Sequence, residues 1–133
     1  MAVKPEGRFI DKVHRHLPKS VYRQGMGLTA TNGTPDMYYE GDRSILWVEY
    51  KWINKMPESI DLRHRKTSPK LSKLQQRWLR RATANHVRTA VILGSPEGAV
   101  IMLDDYWDME QYLKLEYLLN PTGVANYIEG IVT

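Results

Sequence analysis

GTPDMYYEGDRSILWVEYKW, residues 33 to 52, is the stretch that decides the fold. Two aromatic and β-branched runs, DMYYE and ILWVEYKWI, flank the turn-like tetrad GDRS, which is the pattern of a β-hairpin. With the turn centred between Asp42 and Arg43, cross-strand partners carry numbers that sum to 85, and Asp36 comes to stand opposite Glu49. Residues so opposed lie about 5 Å apart at Cβ. Strand alternation sends Trp47, Glu49 and Lys51 to one face and Leu46, Val48, Tyr50 and Trp52 to the other. The largely apolar second face marks a central strand covered on both sides.

Like charges facing each other across a strand pair destabilise it, and partial burial makes the cost larger unless something compensates. A divalent cation is the obvious compensation. Two converging carboxylates, with backbone carbonyl and water oxygens, suit Mg²⁺, with Mn²⁺ as its substitute. Beside them, the Lys51 ammonium is placed to orient or deprotonate an attacking water and to offset charge on a pentacovalent phosphate. The competing structural explanation is a solvated Glu49–Lys51 ladder with Asp36 capping the strand.

Outward from the hairpin, Pro5 and Glu6 followed by Phe9, Ile10, Val13 and Leu17 predict a helix over about residues 5 to 17. Residues 24 to 34 read as a Gly, Thr and Asn loop, and residues 54 to 70 as a long exposed basic loop. Ser72 and Gln75 form a capping-box pattern that opens a second helix, with Leu71, Leu74, Trp78 and Ala82 as its inward stripe. RTAVILGS and GAVIML predict two further strands, and DDYWDMEQYLKLEYLL a closing helix before a tail that holds Pro121 and Gly123. The order α-β-β-α-β-β-α predicts an α/β (α+β) fold with a mixed central sheet flanked by helices. At 133 residues one domain is expected, residues 1–133, with its core over about 5–103 and an acidic helix and tail over 104–133.

Composition narrows the function classes. No apolar run approaches the ~20 residues of a membrane-spanning helix and the N-terminus carries no apolar leader, so a soluble, cytoplasmic protein is expected, in the host cytoplasm if phage-encoded. The absence of cysteine excludes disulfides and thiolate metal sites, leaving oxygen or imidazole ligands. No Gly-rich phosphate loop, Ser-His-Asp set or zinc spacing is present, which argues against a nucleotide cofactor and against protease chemistry. His14 and His16, two apart on a helix, point to different sides and read as structural or as phosphate contacts.

Residues 1 to 88 hold 18 Lys and Arg against 8 Asp and Glu, whereas residues 89 to 133 hold 1 against 7. Such asymmetry points to a polyanion-binding surface in the first two thirds. Its densest parts are Arg63, His64, Arg65 and Lys66 on the long loop, then Lys70, Lys73 and Arg77 leading into and along the second helix. These groups read phosphate rather than base, so DNA recognised by backbone shape is the expected partner.

Pro35-Asp36 followed by Glu49-Tyr50-Lys51 resembles the signature of the PD-(D/E)xK nuclease superfamily: Pro-Asp, a variable spacer, then acid-x-Lys. LSKLQQRWL is similar to the L-S-x-x-Q-x-x-W stretch of its VRR-NUC branch, which includes small phage and bacterial stand-alone nucleases. The likeness covers roughly residues 5 to 95, and the branch's Val-Arg-Arg stretch is here reduced to the single Arg88. The resemblance implies a restriction-endonuclease-like core and a Mg²⁺-dependent endodeoxyribonuclease. Asp36, Glu49 and the Tyr50 backbone carbonyl become metal ligands and Lys51 the residue that acts on water. Glu6 becomes the first-helix acid, for a second metal or for orienting water, although a carboxylate in the first turn also serves the helix dipole. Gln75 becomes a site-supporting residue, a role that competes with plain capping. A small domain that resolves branched DNA needs two active sites, which a homodimer supplies, so phage-type Holliday junction resolution is the expected activity. A non-specific or nicking nuclease, or a non-catalytic nucleic-acid-binding protein of the same fold, are the alternatives.

Overall fold

The computed structural model describes residues 4–27, 32–63 and 69–133. In chain order its elements are α1 (Pro5–Arg15), β1 (Tyr22–Gly25), β2 (Met37–Glu40), β3 (Ile45–Trp52), β4 (Ser59–Ile60), α2 (Lys73–Ala84), β5 (Thr89–Ser95), β6 (Gly98–Leu103), β7 (Gln111–Tyr112) and α3 (Pro121–Val132), with a 3₁₀ turn at Leu115–Tyr117 between the last two. β2 and β3 form the expected antiparallel hairpin, in register from Met37 opposite Val48 to Glu40 opposite Ile45. β3 then pairs in parallel with β5, and β6 returns antiparallel beside it. The order β1-β2-β3-β5-β6 gives a mixed five-stranded sheet with β3 at its centre.

Burial on the two sides of this sheet explains its layers. Leu46, Val48, Tyr50, Ala90 and Ile92 pack with Phe9 and Val13 of α1 and with Val124, Ala125, Ile128 and Val132 of α3. The opposite side holds Val91, Leu93 and Met102 against Leu79 of α2 and Trp107. Within the first layer a hydrogen-bond chain runs from His14 Nε2 to the Tyr39 hydroxyl and on to the Tyr50 hydroxyl, 2.8 Å at each step. It satisfies polar tips that are otherwise enclosed by apolar side chains.

Four expectations need correction. First, β1 occupies the start of what read as a loop; all four of its residues are exposed, so no burial period announces it. Second, β4 and β7 pair antiparallel as a small separate sheet, which ties the basic loop to the acidic segment. Third, the closing helix lies at Pro121–Val132 and not over residues 104–119. Trp107, Leu113 and Leu118 turn inward at intervals of six and five residues, which no single helical face provides, and Leu119 leaves to bridge Ala99. Asn120 instead caps α3 by accepting from the Gly123 N–H at 2.8 Å, and Pro121 stands in the first turn, where its missing N–H costs nothing. Fourth, Leu74 is 45% exposed, because α2 buries Leu79 and Ala82 and turns Gln75 and Trp78 partly inward. Among the described residues no helix is long and apolar enough to cross a membrane.

Candidate active site

β2 begins at Met37, one residue after Asp36, whereas β3 continues four residues beyond the last β2 pair, from Glu49 to Trp52, joined there to β5 alone. This leaves a notch in the sheet. The Tyr50 N–H faces the notch and donates to Asp36 Oδ2 at 2.9 Å, so the aspartate side chain occupies the place of the absent strand. N–H and C=O of one strand residue leave by the same edge, which directs the Tyr50 carbonyl toward the notch as well. Gly33 helps to set this entry. Its φ is +81°, and a Cβ there would overlap the Leu74 carbonyl, so only glycine lets the Thr34–Pro35–Asp36 segment lie against the first turn of α2.

Glu49 is 3% exposed. Its Oε2 accepts from Gln75 Nε2 at 3.0 Å and lies 3.5 Å from Lys51 Nζ, and Lys51 Nζ donates to Gln75 Oε1 at 3.2 Å. Gln75 also closes the capping box, its Oε1 accepting from the Ser72 N–H at 2.9 Å while its own N–H donates to Ser72 Oγ at 3.1 Å. One side chain therefore closes the cap and bonds both Glu49 and Lys51. Burial, and after it the Asp36 charge, push the Glu49 carboxyl up to about 8 against the opposing pull of Lys51. Glu6 is raised by burial first and by Asp36 second, with Lys51 and Lys4 opposing, so it belongs to the same electrostatic neighbourhood.

The donor set suits a hard divalent cation. Glu49 Oε1 is buried without a hydrogen-bond partner, an arrangement costly for an isolated carboxylate and natural for a metal ligand. Among the described residues no group of three or more His, Cys, Asp or Glu side chains converges on one point. Asp36 and Glu49 would accordingly hold the ion with backbone and water oxygens, the sparse ligation that Mg²⁺ tolerates. His14 is not part of this set. Burial and then Arg23 lower its imidazole to about 4, and it serves the Tyr39 hydroxyl.

The basic residues separate into engaged and outward groups. Arg63 is bridged to Asp61 at 2.7 Å and approaches Asp108 at 3.9 Å, and Arg80 holds Asp108 through two bonds of 2.9 Å. Lys73 and Arg77 are exposed and, with Gln76, Arg80 and Arg81, line an open cleft of about 660 Å³ on α2. Lys70 is exposed just ahead of that helix, while His64, Arg65 and Lys66 lie outside the described residues. One feature escaped sequence reasoning: Tyr38, Trp47 and Trp78 form an edge-to-face row beside Glu49, with ring centroids 4.9 and 5.4 Å apart, and Arg81 stands 4.7 Å over Trp78. Its strand half followed from alternation, but Trp78 joins it only through the packing of α2.

No protein-family model matches the chain, and no curated protein matches it. In structure it is similar to the Archaeoglobus fulgidus protein Hjc, a Holliday junction resolvase from an archaeal hyperthermophile, with a TM-score of 0.54 and 14% sequence identity over 92% of this chain and 97% of that one. The mixed sheet between helices, with its notch beside β3, is thus a restriction-endonuclease-like fold.

Proposed function

We propose that this chain is a divalent-metal-dependent endodeoxyribonuclease selective for branched DNA, four-way junctions above all, and that it acts as a homodimer. The observation that carries this reading is the buried Glu49 Oε1 left without a hydrogen-bond partner on a carboxyl that is coupled to Asp36, with Lys51 held beside it by Gln75. The likeness to a junction resolvase supports the choice of substrate class. When bound, Mg²⁺ or Mn²⁺ supplies Lewis acidity at the scissile phosphate and lowers the pKa of water.

The chain's own residues do the rest. Asp36, Glu49 and the Tyr50 carbonyl hold the ion, and Lys51 orients the attacking water. The side chain of Lys51 is 19% exposed and that of Glu49 4%, so Lys51 is the more accessible of the two to an arriving phosphodiester. Water oxygen forms the new bond to phosphorus as the bond to the 3′ oxygen breaks in line, leaving a 5′-phosphate and a 3′-hydroxyl. Glu6, which is coupled electrostatically to Asp36 and Lys51, is assigned to orienting water or to a second ion. Lys70, Lys73 and Arg77 track the phosphate backbone, a contact that weakens steeply with salt. His64, Arg65 and Lys66 are read as further phosphate contacts from their charge alone, and Arg63 as one that must first give up its bridge to Asp61.

The test is a cleavage panel with Mg²⁺ or Mn²⁺ on a four-way junction, a flap, linear duplex and single strand, with Lys51→Ala in parallel. Preferred cutting of the junction, lost in the variant while binding remains, is the expected result. Equal cutting of linear duplex would replace junction selectivity by general nuclease activity, and no cutting of any substrate would refute the enzyme.

A further inference from the structure

On the α1 side of the sheet, at the far end of β3, lies a cavity of about 490 Å³ whose walls include Arg8, Phe9, Lys12, Trp52, Asn54 and Glu97. That volume is within the range of small-ligand sites. Its floor is a fixed aromatic platform, with the Phe9 and Trp52 rings 6.0 Å apart at 51°. Gly94 leaves the two rings room to lie as they do, because a Cβ there would press to 3.1 Å on the Trp52 ring and 3.3 Å on the Phe9 ring and oblige them to give by a few tenths of an ångström. The Trp52 indole N–H donates to Asn54 Oδ1 at 3.1 Å, which holds the ring and leaves the Asn54 amide N–H groups as donors.

The charge around this platform is divided. Arg8 and Lys12 stand one turn apart on α1, both exposed, and among the described residues neither side chain has an ion-pair or hydrogen-bond partner. At the other wall Glu97 accepts from the Met56 N–H at 3.4 Å and remains a carboxylate, held below its ordinary pKa first by the Ser95 hydroxyl. A ligand that satisfies both ends carries an anion toward α1, a flat ring on Trp52 and hydrogen-bond donors toward Glu97. A nucleotide has that polarity, and an aromatic face accepts any base that is out of its stack. Lys51 and Trp52 are consecutive on β3 and take opposite faces, so a strand that leaves the catalytic notch round the end of the sheet meets the cavity next.

We infer that this cavity binds one unpaired nucleotide of the DNA strand engaged by the notch, with its phosphate on Arg8 and Lys12 and its base on Trp52. The inference rests on the nuclease reading for the identity of the strand, and its test is independent of cutting. Binding of a fluorescent oligothymidylate and of a blunt duplex is measured in EDTA for wild type, Arg8→Ala/Lys12→Ala and Gly94→Ala. Photo-crosslinking with 5-iodouracil placed in the oligothymidylate is mapped on the wild type. Expected are a loss of about tenfold or more for the oligothymidylate in both variants, under about twofold for the duplex, and a crosslink at Trp52 or Phe9. The double variant changes two exposed side chains, so its thermal midpoint stays near that of wild type. Unchanged oligothymidylate affinity in the double variant, equal losses on both DNAs, or crosslinks confined to α2 would each overturn the pocket. Failure of the cleavage panel alone would leave this binding result standing.

Discussion

On one face of β3, Leu46, Val48 and Tyr50 are 0–1% exposed and lie among apolar side chains of α1, α3 and β5. On the other, Glu49 is almost as enclosed at 3%, yet it carries an acidic group whose neighbours are Asp36, Lys51 and Gln75. Adjacent residues of one strand thus receive similar burial with opposite consequences. Removing alkyl and aromatic surface from water stabilises the fold, whereas enclosing a carboxylate beside a second one opposes it. The first face holds the sheet together, and the second holds charge in a place that folding alone does not reward.

The comparison breaks most clearly if substitutions on the two faces have the same effect. Lys51→Ala is expected to lower single-turnover cleavage by about 10²- to 10⁴-fold while leaving the denaturation midpoint close to that of wild type. Leu46→Ala is expected to lower unfolding free energy by about 2–5 kcal/mol, measured by urea titration, with a site that cuts normally in the molecules that remain folded. If Lys51→Ala unfolds the protein, the charged face is structural and the division fails.

The Glu49 carboxyl sharpens the comparison through pH. Its folded pKa, about 8, lies above the ordinary 4.5, so its contribution is fully present below about pH 4.5 and is lost as pH rises through 8. In EDTA, wild type should therefore lose stability on the order of 2–4 kcal/mol between pH 5 and 9, and Glu49→Gln should not. Added Mn²⁺ should restore wild type at high pH and leave Glu49→Gln unchanged.

The apolar face has a smaller titration of the opposite sign. His14, lowered from 6.5 to about 4, is neutral within its bond to Tyr39, so its contribution is present above pH 6.5 and is lost as pH falls through 4. Urea midpoints between pH 7 and 4 should fall for wild type and fall less for His14→Gln. The smallest effect concerns the α2 cations. Arg77→Ala should reduce the salt dependence of duplex binding by about one phosphate contact, and Arg80→Ala by less, since Asp108 already holds that guanidinium with two bonds of 2.9 Å.

What was legible in the sequence follows from the same physics. A strand period of two and a four-residue turn sufficed to set the hairpin register, and with it the shared face of Glu49 and Lys51, but the ladder stops at Met37 opposite Val48, so Asp36 meets β3 through its side chain on the Tyr50 N–H and not as a strand partner of Glu49. Ser72 and Gln75 marked the start of α2 correctly. Of the stripe assigned to that helix, Leu71 and Ala82 are buried and Trp78 partly so, whereas Leu74 faces solvent because Gln75, in phase with Leu71 and Trp78, takes the inward place. β1 was hidden because its four residues are all exposed and it exists only by pairing with β2. Pro121 and Gly123 read as part of a tail after the closing helix, although one stands in the first turn of α3 and the other donates to its cap. The Trp52 platform depends on Gly94, 42 positions away on a neighbouring strand, and no local pattern could announce it.

The central claim is that the notch formed by Asp36 and the end of β3 performs hydrolysis. It is tested most directly by single-turnover cleavage of a four-way junction at saturating protein and fixed Mg²⁺, for wild type and Asp36→Asn, with junction binding measured in parallel. The account predicts cutting by wild type and none above background for Asp36→Asn, with junction affinity retained. Equal cutting by the two proteins, or an intact wild-type junction in Mg²⁺ and Mn²⁺ alike, would contradict it.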